Sequence, residues 1–364
     1  MGIRLENISK SATLHPSFDD LSLAIEDGSF VALIAPTGSG KTSLLRLMAG
    51  IDKPDSGKIM VDGQDVTHVH VRDRNVAMVY QQFINYPSFT IYNNIASPLR
   101  VSKTKYSKAE IDRRVRSVAE QLQIGDLLHR LPEELSGGQQ QRVAIARALA
   151  KDARLILMNE PLGNLDYKLR EDLRLELKNL AAARDAIFVY ATPEPIDALT
   201  MASHVAVLHN GRILQYGRMW EVYSQPQHIK VGAYFSDPPM NFLPCVVANG
   251  EAVVSSDLRI PVQAMGNNLA QGDYVLGIRP HHLHIGRNGT DQAVTFSARV
   301  DLTEIVGSDT TLHLSHQHLN LIAHAPQYLS FHLDEQTIVS LDPTRVYIFN
   351  AKTSELVRSA AKTR

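Results

Sequence analysis

Through the first 80 residues, apolar positions come in short aliphatic blocks separated by turn signals. Ile3 to Ile8, Leu21 to Ile25, Phe30 to Ile34, Lys58 to Val61 and Val76 to Tyr80 read as strands. Pro54-Asp55-Ser56-Gly57 and Asp62-Gly63 mark turns between them. From about residue 88 to 150 the pattern turns helical. Ser107-Lys108-Ala109-Glu110 is a capping-box pattern that opens a charged amphipathic helix ending near Leu122. Ser136-Gly137-Gly138-Gln139 opens a second helix, running through Ala144, Ala146, Ala148 and Leu149.

Leu155-Ile156-Leu157-Met158-Asn159-Glu160-Pro161 then has the pattern of a buried strand that ends in polar residues. An amphipathic helix is predicted from just after Asp166 to about Ala183, and a strand over Ala186 to Ala191. Thr192 is expected to cap a helix whose first residue is Pro193. Val205 to Leu208, the turn Asn210-Gly211 and Arg212 to Tyr216 predict a hairpin.

The Pro- and Phe-rich stretch from Pro226 to Pro244 reads as an interdomain linker. Beyond it short β runs recur: Asp273 to Ile278, Val294 to Leu302, Thr310 to Leu314, Leu319 to Ala323, Thr337 to Leu341 and Val346 to Phe349. The fold class is therefore α/β for residues 1–236, with a helical subdomain near 88–150, followed by a small β domain over 237–364, a barrel or sandwich.

Composition narrows the function. At 364 residues and 44% hydrophobic the chain has material for two cores. A formal net charge of -1 leaves no electrostatic footprint for nucleic acid. Cys245 is the single cysteine, so no internal disulfide is possible, and a small buried hydrophobe in a reducing compartment is its expected role. No run reaches the roughly 18 apolar residues that span a bilayer, and the first residues lack a signal-peptide core, so membrane association is expected to be peripheral. Histidines cluster at His281, His282, His284 and at His313, His316, His318, but without cysteine or carboxylates at ligand spacing they read as ordinary side chains.

The chemistry concentrates in Ala35-Pro36-Thr37-Gly38-Ser39-Gly40-Lys41-Thr42, between a strand and a helix. Small residues there let backbone N–H groups converge on phosphate oxygens; the helix N-terminus and Lys41 add positive charge, and Thr42 offers a hydroxyl to Mg2+. One residue departs from the phosphate-loop pattern, because Ala35 stands where the first glycine belongs. Glu160, just past a buried strand, is placed to polarise a water. Two glycines in the first turn of the Ser136 helix weaken it unless something must approach the backbone, which points to a second anion site.

Taken together these residues resemble the ATP-binding-cassette family. Leu135-Ser136-Gly137-Gly138-Gln139-Gln140-Gln141-Arg142 is similar to its signature motif, and Tyr80-Gln81-Gln82-Phe83-Ile84-Asn85-Tyr86-Pro87 to its Q-loop region. Gly277-Ile278-Arg279-Pro280 with Thr303-Glu304-Ile305-Val306-Gly307-Ser308 resembles the OB-like accessory domain of bacterial carbohydrate-type importers, glycerol or polyol importers most of all. The resemblance implies two cassettes paired head to tail, with ATP between the phosphate loop of one and the signature helix of the other. Lys41 and the loop backbone would hold phosphates; Thr42, Gln81 and Asn159 would face Mg2+. Glu160 would be the catalytic base, assisted by Gln81, and Asp166 would lie in the D-loop at the seam. Ser136, Gly137, Gly138 and Gln139 would serve the partner's nucleotide. Implied partners are a second cassette, membrane permease subunits at the cytoplasmic face of the inner membrane and an extracytoplasmic substrate-binding protein.

Several residues break the family's pattern. Asn159 stands where an aspartate orients Mg2+; one unit charge about 5 Å from a divalent ion is worth on the order of 2–6 kcal/mol before screening, enough to slow turnover about tenfold or more. Pro193 replaces a histidine that senses the γ-phosphate, and proline has no N–H to donate. No aromatic stands near Ala12 to stack on adenine, leaving His15 or Phe18 as substitutes. The signature stretch is intact. The expected arrangement is therefore an asymmetric heterodimer in which this chain's own site is degenerate while its signature helix completes a paralogue's active site. Competing readings are a homodimer that hydrolyses slowly, a non-hydrolysing regulatory subunit, and a soluble cassette acting on ribosomes or DNA, which the near-neutral charge disfavours.

Overall fold

The computed structural model describes residues 2–11, 17–102, 104–163, 165–266, 269–286 and 293–360. They form two compact units, which divide between Met219 and Trp220. The first unit runs β1 (Gly2–Lys10), β2 (Phe18–Glu26), β3 (Phe30–Ile34), α1 (Lys41–Ala49), β4 (Ser56–Val61), β5 (Gln64–Asp65), β6 (Val76–Val79), α2 (Ile91–Arg100), α3 (Lys108–Gln121) and α4 (Gly137–Ala150). It continues with β7 (Leu155–Asn159), α5 (Tyr167–Ala182), β8 (Ile187–Thr192), α6 (Pro195–Met201), β9 (His204–His209) and β10 (Arg212–Arg218).

Two sheets organise this unit. One is antiparallel, in the order β2-β1-β4-β5; the other has the order β10-β9-β3-β8-β7-β6 and is parallel from β9 to β6. Burial explains the difference. β2 largely alternates buried and exposed positions, as a strand with one wet face must, whereas β3, β7 and β8 are buried at every position, as strands covered on both faces must be. Leu44, Leu45 and Leu47 of α1 share one core with Ile3 and Leu5 of the antiparallel sheet and Val31 and Leu33 of the parallel sheet. On the other face Ile156, Met158, Phe188 and Tyr190 join α2, α3 and α4 in a second core, where Phe30 stacks on Phe188 at 5.7 Å between ring centroids.

The parallel register has a direct consequence. Ile34 pairs with Thr192, and Asn159 with Ala191, so β3, β8 and β7 end on one level. Ala35, Pro193 and Glu160, each the next residue along, therefore leave the sheet along a single rim at its carboxyl edge, where ligands of open α/β sheets bind.

The second unit contains α7 (Met219–Ser224) from Trp220 onward, then α8 (Ile229–Tyr234), β11 (Asn241–Ala248), β12 (Glu251–Val253), β13 (Arg259–Pro261), β14 (Gly272–Ile278) and β15 (Leu283–Ile285). It ends with β16 (Val294–Val306), β17 (Asp309–His316), β18 (Leu319–Ala325), β19 (Gln336–Leu341), β20 (Tyr347–Asn350) and β21 (Leu356–Arg358). Two antiparallel sheets, β13-β12-β11-β14-β20-β21 and β15-β19-β16-β17-β18, enclose one core that includes Leu243, Leu276, Phe296, Leu314, Val339 and Ile348.

The Pro226–Pro244 stretch is not the open linker its composition predicts, since it contains α8 and the start of β11. The reason is a long-range contact. Arg279, only 1% exposed, donates to the carbonyls of Phe235 (2.6 Å) and Tyr223 (2.8 Å) and lies over the Tyr223 ring, so it gathers this segment into the unit. Cys245 is a buried free thiol whose pKa burial pushes up to about 12, which makes it inert.

Candidate nucleotide site

The loop between β3 and α1 takes the shape its glycines permit. Gly38 and Gly40 have φ of 82° and 95°, a region costly for any residue with a Cβ. Ala35 is not among the positive-φ residues, so its side chain adds no backbone strain; it is 1% exposed and joins the core beneath the loop.

Lys41 is 3% exposed, and its ammonium has three partners for three donors: the carbonyls of Ala35 (2.7 Å) and Pro36 (3.1 Å) and the Glu160 Oε1 at 3.2 Å. Burial lowers its pKa, while the charge of Glu160 opposes that shift. Thr42, one residue along, donates its hydroxyl to Asn159 Oδ1 at 3.2 Å. Asn159 thus supplies the acceptor that an aspartate would supply, without the negative charge.

Glu160 sits at φ 45°, uncommon for a residue with a side chain, and its N–H donates to the Ala191 carbonyl at 2.8 Å. That bond locks the end of β7 to β8 and turns the carboxylate toward the phosphate loop. Its second oxygen, Oε2, accepts from Gln81 Nε2 at 3.2 Å. Lys41, Glu160 and Gln81 therefore form one connected triad, and both carboxylate oxygens of Glu160 are engaged. The loop that follows Gln81 is pinned by Asn94, fully buried, which accepts from the Tyr86 N–H and donates to the carbonyls of Tyr86 and Phe89.

Position 193 requires a correction. Pro193 does not open a helix: Thr192 is the last residue of β8, and α6 begins at Pro195 with Glu194 as its cap. The reason is a buried carboxylate. Asp197 accepts from the Thr192 hydroxyl (2.9 Å), the Tyr190 hydroxyl (3.0 Å) and Arg174 Nε (2.6 Å), which ties Thr192 to the sheet and leaves the second proline to start the helix. Asp197, Arg174 and Tyr190 carry no motif and were not legible as a group. Phe18 is corrected as well: at 3% exposure inside the core of β2 it offers no face to a base, while Ala12 and His15 lie outside the described residues.

At the start of α4 both halves of the capping box form. Gln139 Oε1 accepts from the Ser136 N–H at 3.0 Å, and Ser136 Oγ accepts from the Gln139 N–H at 3.4 Å. A Cβ at Gly137 would meet nothing within 4 Å, whereas one at Gly138 would come within 2.9 Å of Leu169 Cδ1. Gly138 thus packs closely against the Leu169 side chain of the chain's own α5, which a Cβ would displace, and Gly137 leaves the backbone open. Asp166 caps α5 by accepting from the Leu169 N–H at 2.9 Å. Among the described residues, Ser136 to Gln139 make no hydrogen bond or ion pair with the phosphate loop or Glu160.

The histidine clusters form no metal site among the described residues. His316, 4% exposed, is instead a structural pin between the Ser297 carbonyl (2.7 Å) and Ser255 Oγ (3.2 Å).

Residues 18–163 match the ABC transporter model, 237–283 the MalK OB fold domain and 276–349 the TOBE domain. The chain is similar to the sn-glycerol-3-phosphate import ATP-binding protein UgpC of Psychromonas ingrahamii, 36% identical over 97% of this chain and 95% of that one. The chain belongs to the ATP-binding-cassette transporter ATPases. It is 34% identical to the trehalose/maltose import ATP-binding protein MalK of Thermococcus litoralis over 98% of this chain and 99% of that one. Among solved structures, the cassette MJ0796, a dimer in a post-hydrolysis state bound to ADP and Pi, matches 60% of this chain and 98% of its own at a TM-score of 0.54 and 28% identity. This ATPase therefore combines a P-loop cassette with a C-terminal OB-type β domain.

Proposed function

We propose that this chain is the ATP-binding motor subunit of an importer for a small carbohydrate or polyol, glycerol or a glycerol derivative among them. The observation that carries the reading is the level rim of the parallel sheet, which gathers Lys41, Thr42, Asn159, Glu160 and Gln81 at the phosphate loop. The names of its relatives, which import glycerol 3-phosphate, oligosaccharides and trehalose or maltose, support the transported class.

In this reading the loop from Ala35 through Pro36, Thr37, Gly38, Ser39 and Gly40 wraps the phosphates, and Lys41 exchanges Glu160 for phosphate oxygens when ATP enters. Thr42, Asn159 and the Gln81 carboxamide present hard oxygen donors of the kind that hold Mg2+, an ion that keeps several waters of its own. Mg2+, when bound, neutralises charge on the transferring phosphate. Release of Lys41 frees Glu160 to orient and deprotonate the attacking water.

Two cassettes pair head to tail, with Asp166 at the seam and Ser136, Gly137, Gly138 and Gln139 facing the partner's nucleotide. The uncharged Asn159 and the donor-free Pro193 make this chain's own site the weaker of the two, so the partner is a paralogous cassette. The pair docks on permease subunits at the cytoplasmic face of the membrane, fed by an extracytoplasmic binding protein. No helix among the described residues is long and apolar enough to cross a membrane, which accords with peripheral attachment.

The full engagement of Glu160 and the missing charge at Asn159 also favour a second reading, a regulatory subunit whose bound ATP closes the dimer without being cleaved. Purification of the intact complex tests the assembly. A hydrophobic permease and a second, different cassette are expected; a homodimer of this chain turning over ATP at an importer-like rate contradicts the asymmetry.

A further inference from the structure

Behind Glu160 lies a cavity of about 150 Å³, lined by residues that include Gln81, Glu160, Gly163, Arg170, Thr192 and Pro193. Gln81 and Glu160 line it and none of residues 35–42 does, so it is a space distinct from the phosphate loop. Its volume corresponds to about five waters at roughly 30 Å³ each, room for one tetrahedral oxyanion.

The charges around it are uneven. Asp197 is paired with Arg174, and Glu160 is paired with Lys41 until a nucleotide enters the phosphate loop. Glu194 is exposed at the rim. Arg170, on the first turns of α5, has no carboxylate partner among the described residues; one nitrogen makes a long 3.5 Å contact to the Gly163 carbonyl, and its buried Nε has no hydrogen-bond partner. A buried guanidinium N–H without an acceptor is costly, and planar oxyanion recognition is what that group does best. Pro193, which also lines the cavity, contributes no donor.

We propose that this cavity is a holding site for inorganic phosphate after cleavage, with Arg170 as its principal donor. The inference rests on the ATP-binding reading above. ADP fills the loop once the terminal bond breaks, so a phosphate that moves past Glu160 and Gln81 enters this cavity, where the unpartnered Arg170 is the cation it meets. No bond is made or broken in this step; the oxyanion changes only its hydrogen-bond partners.

The test is calorimetric titration of inorganic phosphate into the ADP-loaded full chain with magnesium present. Saturable binding is expected for the native protein, at least about tenfold weaker in Arg170→Met and intermediate in Arg170→Lys, with ADP affinity changed less than about twofold. Should Arg170→Met fail to fold, as read by its thermal melt, Arg170→Gln takes its place. ADP binding without phosphate binding, or equal phosphate affinity in the charge-removing variant, overturns the proposal while leaving the nucleotide site standing. Failure of ADP itself to bind overturns both.

Discussion

The phosphate-loop rim and the start of α4 are both helix N-termini suited to anions, yet they are built in opposite ways. At the rim, side chains engage one another: Lys41 with Glu160, Glu160 with Gln81, Thr42 with Asn159. At Ser136, side chains serve only the helix cap, and Gly137 leaves the backbone open to whatever approaches. A self-satisfied cluster must be broken by its ligand, whereas an open donor surface waits for one. The first arrangement suits a chain's own nucleotide; the second suits a nucleotide brought by another molecule.

Substitutions at the two places should therefore separate cleanly. Lys41→Ala is expected to cost the isolated chain roughly a hundredfold or more in ATP affinity, since it removes the phosphate contact and strands Glu160. Ser136→Arg should leave that affinity unchanged by equilibrium titration while abolishing activity of the assembled pair; equal losses of affinity from both would erase the distinction.

Asn159→Asp sharpens the contrast from the other direction. It keeps the acceptor for Thr42 and places a negative charge beside the proposed metal position, so single-turnover cleavage in this chain's site should rise about tenfold or more. An unchanged rate would place the limitation at Pro193 instead. Ser136→Ala should lower unfolding stability by about 1 kcal/mol through loss of the cap, without changing ATP binding.

Acid should separate the second unit from the first. Burial, with His281 and Arg279 nearby, lowers the His282 pKa to about 3. The unfolded chain takes up a proton below about pH 6.5 and the folded one does not, so stability is full above that pH and falls as pH drops toward 3. Thermal melts of the second unit's transition should show this slope, and His282→Gln should reduce it, leaving the smaller share of His281, whose pKa burial also lowers.

How much of this was legible in the sequence depends on the range of the contacts. The phosphate loop and the Ser136 cap are set by neighbours within a few residues, and both could be read directly. The level rim depends on the parallel pairing of β3 with β8, strands more than a hundred residues apart, so Lys41, Glu160 and Gln81 were each singled out but their mutual contacts were not legible. Pro193 was misplaced because two prolines stand two positions apart, each acceptable at a helix start; the choice is made by Asp197 and Arg174, buried charges with no local signature. The Pro226–Pro244 stretch read as a linker because its anchor, Arg279, lies more than 40 residues downstream of Phe235. The short strands β12 and β13 were missed because each spans only three residues, too few to show an alternation.

The asymmetry between the two surfaces is tested most directly in the assembled complex, by measuring ATP hydrolysis after Glu160→Gln in this chain and after the equivalent change in its partner cassette. A small loss from Glu160→Gln and a nearly complete loss from the partner's change are predicted. Equal losses from the two would contradict the account.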